Sequence, residues 1–200
     1  MTHAPVRIAR LEDAGGVADI LADAFADDPV MNWVFGGRRP FRTIFFELAR
    51  GLYLKSGFGH IVEGCGATLW LPAGEKATLP FANELRILGA ALPAGGARVI
   101  MRAKKTGEIM KAGHPSAPHY YLFAVGVHKN MKGKGVGGRL IREGLSYAAK
   151  ADAPAYLENS NPKNTPLYER LGFQTTAPLQ MPEGAPPLLG MMCDPAGARS

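Results

Sequence analysis

The sequence predicts an α/β domain, and three observations carry that expectation. Tyr120–Val127 (YYLFAVGV) is an unbroken apolar run, the pattern of a strand buried on both faces. A polar, glycine-rich loop follows it. Val136, Leu140, Ile141, Leu145 and Ala148 then recur at helical spacing, marking the buried stripe of the next helix.

The remaining elements can be placed around this unit in order. Residues 6–9 read as a short opening strand. Leu11, Val17, Ile20, Leu21, Ala24 and Phe25 share one helical face, with Glu12 and Asp13 in the first turn, where the helix dipole favours negative charge. The FADDP segment at residues 25–29 breaks that helix. Phe41, Ile44, Phe45, Leu48 and Leu52 mark a second amphipathic helix that ends near Gly57. Residues 60–63 and 67–71 read as two strands joined by a glycine-rich hairpin turn. Residues 72–118 read as helical pieces covering the sheet, broken by Pro80, Pro93, Gly95, Gly96, Gly107 and Pro115. After the central unit, residues 154–159 form a strand, 166–171 a short helix stopped by Gly172, and 173–176 and Leu188–Cys193 two closing strands. Residues 194–200 are expected to be a disordered tail.

The 200 residues, 46% of them hydrophobic and 20% charged, fit one folded domain that buries a core without disulfides or metal. Cys65 and Cys193 belong to no CxxC or Cys/His cluster, so no metal site is expected, and a reducing, cytoplasmic setting is. No apolar run has signal-peptide or membrane-span length. The formal charge of +6 gathers in two places. Arg98, Arg102, Lys104, Lys105 and Lys111 read as a solvated helix face. Lys129, Lys132, Lys134, Arg139 and Arg142 lie on and beside the glycine-rich loop. No zinc-finger spacing or aromatic RNA-binding pattern accompanies them, so neither nucleic acid nor membrane is the expected partner.

The loop Lys132-Gly133-Lys134-Gly135-Val136-Gly137-Gly138 is the most informative segment. Closely spaced glycines let the backbone curl so that several N–H groups converge, and the helix N-terminus behind them completes a seat for an anion. Lys132 and Lys134 add charge, while Arg139 either contacts a phosphate or faces solvent. No GxxxxGK[ST] is present, which argues against a P-loop NTPase. Gly133, Gly135 and Gly138 do spell GxGxxG, with Glu158 about twenty residues on, as in a nicotinamide-dinucleotide site. Five residues separate Val127 from Gly133, however, and little chain remains for a full dinucleotide-binding sheet.

These residues resemble a known family. VHKNMKGKGVG, from Val127, is similar to the first signature of the GNAT acetyltransferases, Val-x-x-x-x-Gln/Arg-x-x-Gly-x-Gly/Ala. Val127, Lys132, Gly135 and Gly137 match it, Lys132 standing where Gln or Arg is usual. LENSNPKNTPLYERLGF resembles the second signature through Asn161, Tyr168, Gly172 and Phe173. FADDPVMNWVFGG and ATLWLPAG resemble the subgroup that includes puromycin N-acetyltransferase.

The resemblance implies a splayed mixed sheet of about six to seven strands flanked by helices. Residues 1–118 would form the acceptor side and 119–193 the acetyl-CoA side. It implies transfer of an acetyl group from acetyl-CoA to a small-molecule amine by direct attack in a monomer or homodimer. The pantetheine arm would lie between the diverging strands, against main-chain groups near Val125 and Val127, with Asn161 bonding the arm. Tyr168 would reach the sulfur, either through a locally lowered pKa or as a strong hydrogen-bond donor. Backbone N–H near Val125 is the expected oxyanion donor. The base is left open: Glu158, at a strand end facing the cleft, could take the amine's proton directly or through water, or be a solvated or structural carboxylate; His119 and His128 are nearby. Asn164 reads as a helix cap. Phe25, Asp28, Trp33 and Phe45 are placed by the resemblance near the acceptor pocket, although on sequence Phe25 and Phe45 read as core and Asp28 as a turn residue. A nicotinamide-binding oxidoreductase and a non-catalytic acyl-CoA-binding module remain the alternatives.

Overall fold

The computed structural model describes residues 4–36 and 40–196. Residues 197–200 of the expected tail lie outside them. A seven-stranded mixed sheet runs through these residues in the order β1-β2-β3-β4-β5-β7-β6. The strands are β1 (Arg7–Ile8), β2 (Phe58–Val62), β3 (Gly66–Leu71), β4 (Tyr120–Val127), β5 (Ala155–Asn159), β6 (Gln174–Leu179) and β7 (Leu188–Cys193). Among the described strands only β4 and β5 run parallel, and α7 (Val136–Lys150) crosses between them. No described helix is long and apolar enough to cross a membrane.

One face of the sheet carries α1 (Ala14–Ala24), α2 (Pro29–Phe35) and α3 (Phe41–Leu48), which continues through a π-helical turn, Ala49–Tyr53, into the short α4 (Leu54–Ser56). Val17, Leu21, Phe41, Phe45, Leu69 and Tyr121 are buried in the core that these helices share with the strands. The sequence pattern missed α2. Its start is explained by Asp28, whose side chain accepts from the Met31 N–H at 2.9 Å, with Pro29 at the first helical position, where a missing N–H costs nothing.

The region from residue 72 to 118 differs from expectation. Pro93 lies inside α5 (Phe81–Gly95) and Gly107 inside α6 (Ala97–Gly113), so neither breaks its helix. Nor do these helices chiefly cover the sheet. The buried Glu47 carboxylate of α3 accepts from Asn83 Nδ2 at 2.6 Å, tying α5 to another helix. Phe81, Leu85, Leu88 and Leu92 of α5 face outward and are exposed. β4 also departs from a doubly buried strand: Leu122 and Ala124 are buried, while Phe123, Val125 and Val127 are only partly so.

On the opposite face α7 packs Ile141 and Leu145 against Leu157, Phe173 and Met191. Its Gly144 presses directly onto Trp70 of β3; a Cβ there would sit 2.2 Å from Trp70 Cε2. Trp70 is fully buried, so the ring has nowhere to move. Gly144→Ala should therefore cost about 1–3 kcal/mol through overpacking. In a thermal melt that is a Tm lowered by about 3–10 °C, with the far-UV circular dichroism unchanged.

Candidate active site

β4 and β5 are in register at only two pairs, Tyr120↔Ala155 and Tyr121↔Tyr156. Beyond Tyr121 they part, whereas β3 stays paired with β4 as far as Gly66↔Val127. One edge of the distal half of β4 therefore faces a gap instead of a neighbouring strand. A cavity of about 690 Å³ occupies this opening and reaches both faces of the sheet.

On the α7 side the cavity is lined by Lys132, Gly133, Gly135, Val136, Gly137 and Gly138. Gly133 and Gly135 each have φ of +76°, which turns the loop back so that α7 begins at its edge. The first-turn N–H groups of α7 have no carbonyl within the helix and point out of its N-terminus. Backbone donors, the helix dipole and Lys132 together can hold a diphosphate. Lys134 does not line the cavity; its exposed Nζ turns to Met131 Sδ at 3.5 Å. Arg139 does not line the cavity; its guanidinium donates to the Ala4 carbonyl at 2.8 Å.

Val125, Val127, Glu158, Asn161 and Tyr168 all line the same cavity. Asn161 Oδ1 accepts from the Lys163 N–H at 3.2 Å, so Asn161 caps the short turn Pro162–Asn164. Asn164 makes no side-chain cap to α8 (Thr165–Glu169), contrary to expectation. Tyr168 is buried, and burial, then the nearby Asp28 charge, push its phenol well above the ordinary tyrosine value. Burial therefore works against a locally lowered Tyr168 pKa and favours the neutral phenol.

Phe25, Asp28 and Phe45 reach the cavity from α1 to α3, with Phe25 and Phe45 packed ring to ring at 5.1 Å. Trp33 does not line it; Arg102 of α6 lies over the Trp33 ring at 4.3 Å. Asp28 is 6% exposed. Its Oδ2 accepts from Ser160 Oγ at 2.5 Å, joining the first helices to the end of β5, and burial raises its carboxyl above the usual range. Sequence reasoning missed Ser160, and also Ala103, Thr106 and Met110 of α6, which close the apolar end.

The Glu158 side chain is only 2% exposed. Its Oε2 accepts from Tyr121 Oη at 2.8 Å. Its Oε1 is buried, has no hydrogen-bond donor, and lies 3.1 Å from His114 Nε2. His114 in turn contacts His119. His119 thus belongs to the neighbourhood of Glu158, while His128 sits apart, 3.5 Å from Asp23. His114 carried no signal in sequence, for it lies in the helix end that the pattern left least legible. Among the described residues no cluster of ligating side chains suits a metal ion.

The Acetyltransferase (GNAT) family model matches residues 76–173, which contain both the glycine loop and the Asn161–Tyr168 segment. An uncharacterized N-acetyltransferase of Schizosaccharomyces pombe is 26% identical over 188 residues, covering 81% of this chain and 71% of that protein. Among solved structures, a Corynebacterium glutamicum protein described as histone acetyltransferase HPA2 and related acetyltransferase aligns with a TM-score of 0.72 at 24% identity, over 95% of each chain. The Drosophila melanogaster polyamine N-acetyltransferase, which forms N-acetylagmatine, aligns at 0.54 with 14% identity, over 95% of this chain and 100% of that one. These structures establish a shared fold.

Because burial raises the Asp28 carboxyl, its cost to folding is absent in acid and grows as pH rises through its folded titration. Asn keeps the cap and removes the charge. Asp28→Asn gives up the acceptor for Ser160 Oγ but escapes the charge cost, so its Tm should gain on that of the wild type as pH rises toward neutral. In melts run across pH the gain should disappear below about pH 4.

Proposed function

We propose, on the family match and the shared fold, that this chain is a GNAT-family acetyltransferase that transfers an acetyl group from acetyl-CoA to the amine of a small molecule by direct attack in a ternary complex. One observation carries the reading. A single cavity joins the glycine loop and α7 N-terminus, the parted edge of β4, Tyr168 and Glu158.

The residues present fit the donor. The loop amides and Lys132 take the diphosphate. The unpaired edge of β4 near Val125 and Val127 takes the amide groups of the pantetheine arm, as a strand would. Asn161 stands beside that path. A backbone N–H near Val125 meets the charge that develops on the thioester oxygen. Tyr168 donates a hydrogen bond to the departing sulfur. Full transfer of its proton was already uphill by about 2 kcal/mol for an unshifted phenol against a thiol, and burial makes it more so.

On the acceptor side Phe25, Ile44, Phe45, Met110 and Phe123 give the cavity an apolar wall, and Glu158 supplies a buried carboxylate. This pairing suits an amine on an apolar body. Glu158 is the group that takes the amine's proton. Asp28 is a structural wall, because Met31 N–H engages its Oδ1 and Ser160 its Oδ2. The resemblance to the puromycin N-acetyltransferase subgroup supports a small-molecule acceptor, and a cytoplasmic setting suits two free cysteines.

In thermal-shift measurements acetyl-CoA and CoA should raise the Tm and NAD should not; stabilisation by NAD alone would overturn the reading. Thiol release should begin only when an amine is added, fastest with apolar monoamines. Tyr168→Phe should lower kcat by about 10–100-fold while the KM for acetyl-CoA stays within about twofold. An unchanged kcat would remove Tyr168 from the chemistry.

A further inference from the structure

Three contacts in a row link the floor of the cavity to the surface. Glu158 Oε1 lies 3.1 Å from His114 Nε2. His114 Nδ1 lies 3.2 Å from His119 Nε2. His119 Nδ1 lies 2.8 Å from the Ala117 carbonyl oxygen. All four ring nitrogens are engaged, so the hydrogens in the row can be assigned one after another.

A carbonyl oxygen only accepts. His119 Nδ1 therefore carries a hydrogen and donates it to Ala117. Burial lowers the pKa of His119, which keeps this ring neutral and its Nε2 bare. The hydrogen in the contact between the rings then belongs to His114 Nδ1. His114 Nε2 then faces the Glu158 carboxylate, to which it donates when it carries a proton. The 3.1 Å contact between His114 Nε2 and Glu158 Oε1 is the place in the row where a further proton fits, and Oε1 makes no other hydrogen bond. The backbone of the 114–119 loop thus sets an array that takes up a single proton, at the junction of Glu158 and His114.

The proton-bearing group of the acceptor lies next to this junction. Acetyl transfer requires an ammonium to lose a proton before its lone pair can attack. The Glu158 side chain lines the cavity but is only 2% exposed, so with donor and acceptor filling the cavity a proton left on it needs another exit. His114 is 28% exposed and caps the C-terminal end of α6, outside the cavity. We infer that His114 carries the acceptor's proton from Glu158 to solvent, and that His119 positions His114 by fixing its tautomer. This rests on the acetyl-transfer reading above. The N–H bond of the ammonium breaks, an O–H bond forms on Glu158, and the proton passes to His114 Nε2 and then to water or buffer. The amine keeps the electron pair with which it attacks the thioester.

The surroundings favour a mobile proton over a fixed ion pair. Tyr121 from β4, Tyr156 from β5 and Tyr53 from the π-helical turn face Glu158, and burial, then the Glu158 charge, raise all three above the ordinary phenol value. They remain neutral, and Tyr121 remains a donor. The His114 ring is held against Tyr121 and Tyr156, with centroids 4.5 and 5.0 Å away. Apart from His114, no basic side chain contacts the carboxylate among the described residues.

The test is steady-state kinetics of the full chain with acetyl-CoA and its best amine, across pH and buffer concentration. His114→Ala should lower kcat about 10–100-fold, leave the KM for acetyl-CoA within about twofold, and displace the acid limb of the pH–rate profile. Added imidazole should restore turnover in proportion to its concentration. His119→Phe, which keeps the ring volume and removes the acceptor, should shift the acid limb with a smaller loss of kcat. A His114→Ala enzyme with a wild-type pH profile and kcat would overturn the relay alone, as would a loss that imidazole does not rescue in a protein with wild-type Tm. If His114→Ala does not fold, His119→Phe decides: a wild-type profile overturns the assignment. A wild type that releases no thiol with any amine overturns the acetyl-transfer reading and the relay with it.

Discussion

The parting of β4 from β5 after Tyr121 is the constraint on which the site depends. A parallel pair normally continues until its strands end, because each unpaired N–H and C=O inside a protein costs about 1–3 kcal/mol if left without a partner. Here the ladder stops after two residue pairs. The chain tolerates this because both halves of the sheet are anchored elsewhere. β4 is held by antiparallel pairing along β3, and β5 by antiparallel pairing along β7, which is inserted between β5 and β6. The exposed edge is then available to a ligand that presents its own amides. Strands that stayed together would close the cavity and leave the glycine loop with nothing to hold beyond a phosphate.

Charge is distributed in keeping with that opening. The surplus of cations lies mostly on the surface, where Lys134, Arg139 and Arg102 find partners away from the cavity. What reaches the interior from the basic loop is chiefly backbone, supplemented by Lys132. The acceptor side is the reverse, with two buried carboxylates, Asp28 and Glu158, set into an apolar wall. They look alike in sequence and differ in accounting. Both oxygens of Asp28 have donors, so it holds α2 to the end of β5. One oxygen of Glu158 has none, so it has capacity left for a proton. Hydrogen-bond bookkeeping, more than location, separates a structural carboxylate from a reactive one.

Where local pattern determines the backbone, the sequence was readable. YYLFAVGV, the glycines at 133 and 135 and the stripe from Val136 to Ala148 carry their own geometry, and strand, loop and helix stand where they were expected. Residues 72–118 failed for a definable reason. Pro93 falls in the last turn of α5, and Gly107 costs α6 only about 1 kcal/mol relative to alanine, so neither breaker acts. The direction of long side chains was not readable either. Lys134 and Trp33 occupy the right segments and point elsewhere, because Met131 and Arg102 take them up. His114 was invisible in principle: it meets Glu158 across 44 residues, a separation no local signal spans.

The histidine row shows how a short irregular segment can set chemistry that the regular elements only frame. α6 delivers His114 to the edge of the sheet, and β4 begins at Tyr120 immediately after His119. Between them Pro115 and Pro118 restrict the backbone, leaving the Ala117 carbonyl aimed back at the His119 ring. That single acceptor decides which nitrogen of His119 bears hydrogen, hence which of His114, hence what the carboxylate meets. No charged side chain is required at any step. The direction of a proton array is therefore set here by main-chain conformation, and it would survive replacement of most side chains around it so long as the loop kept its course.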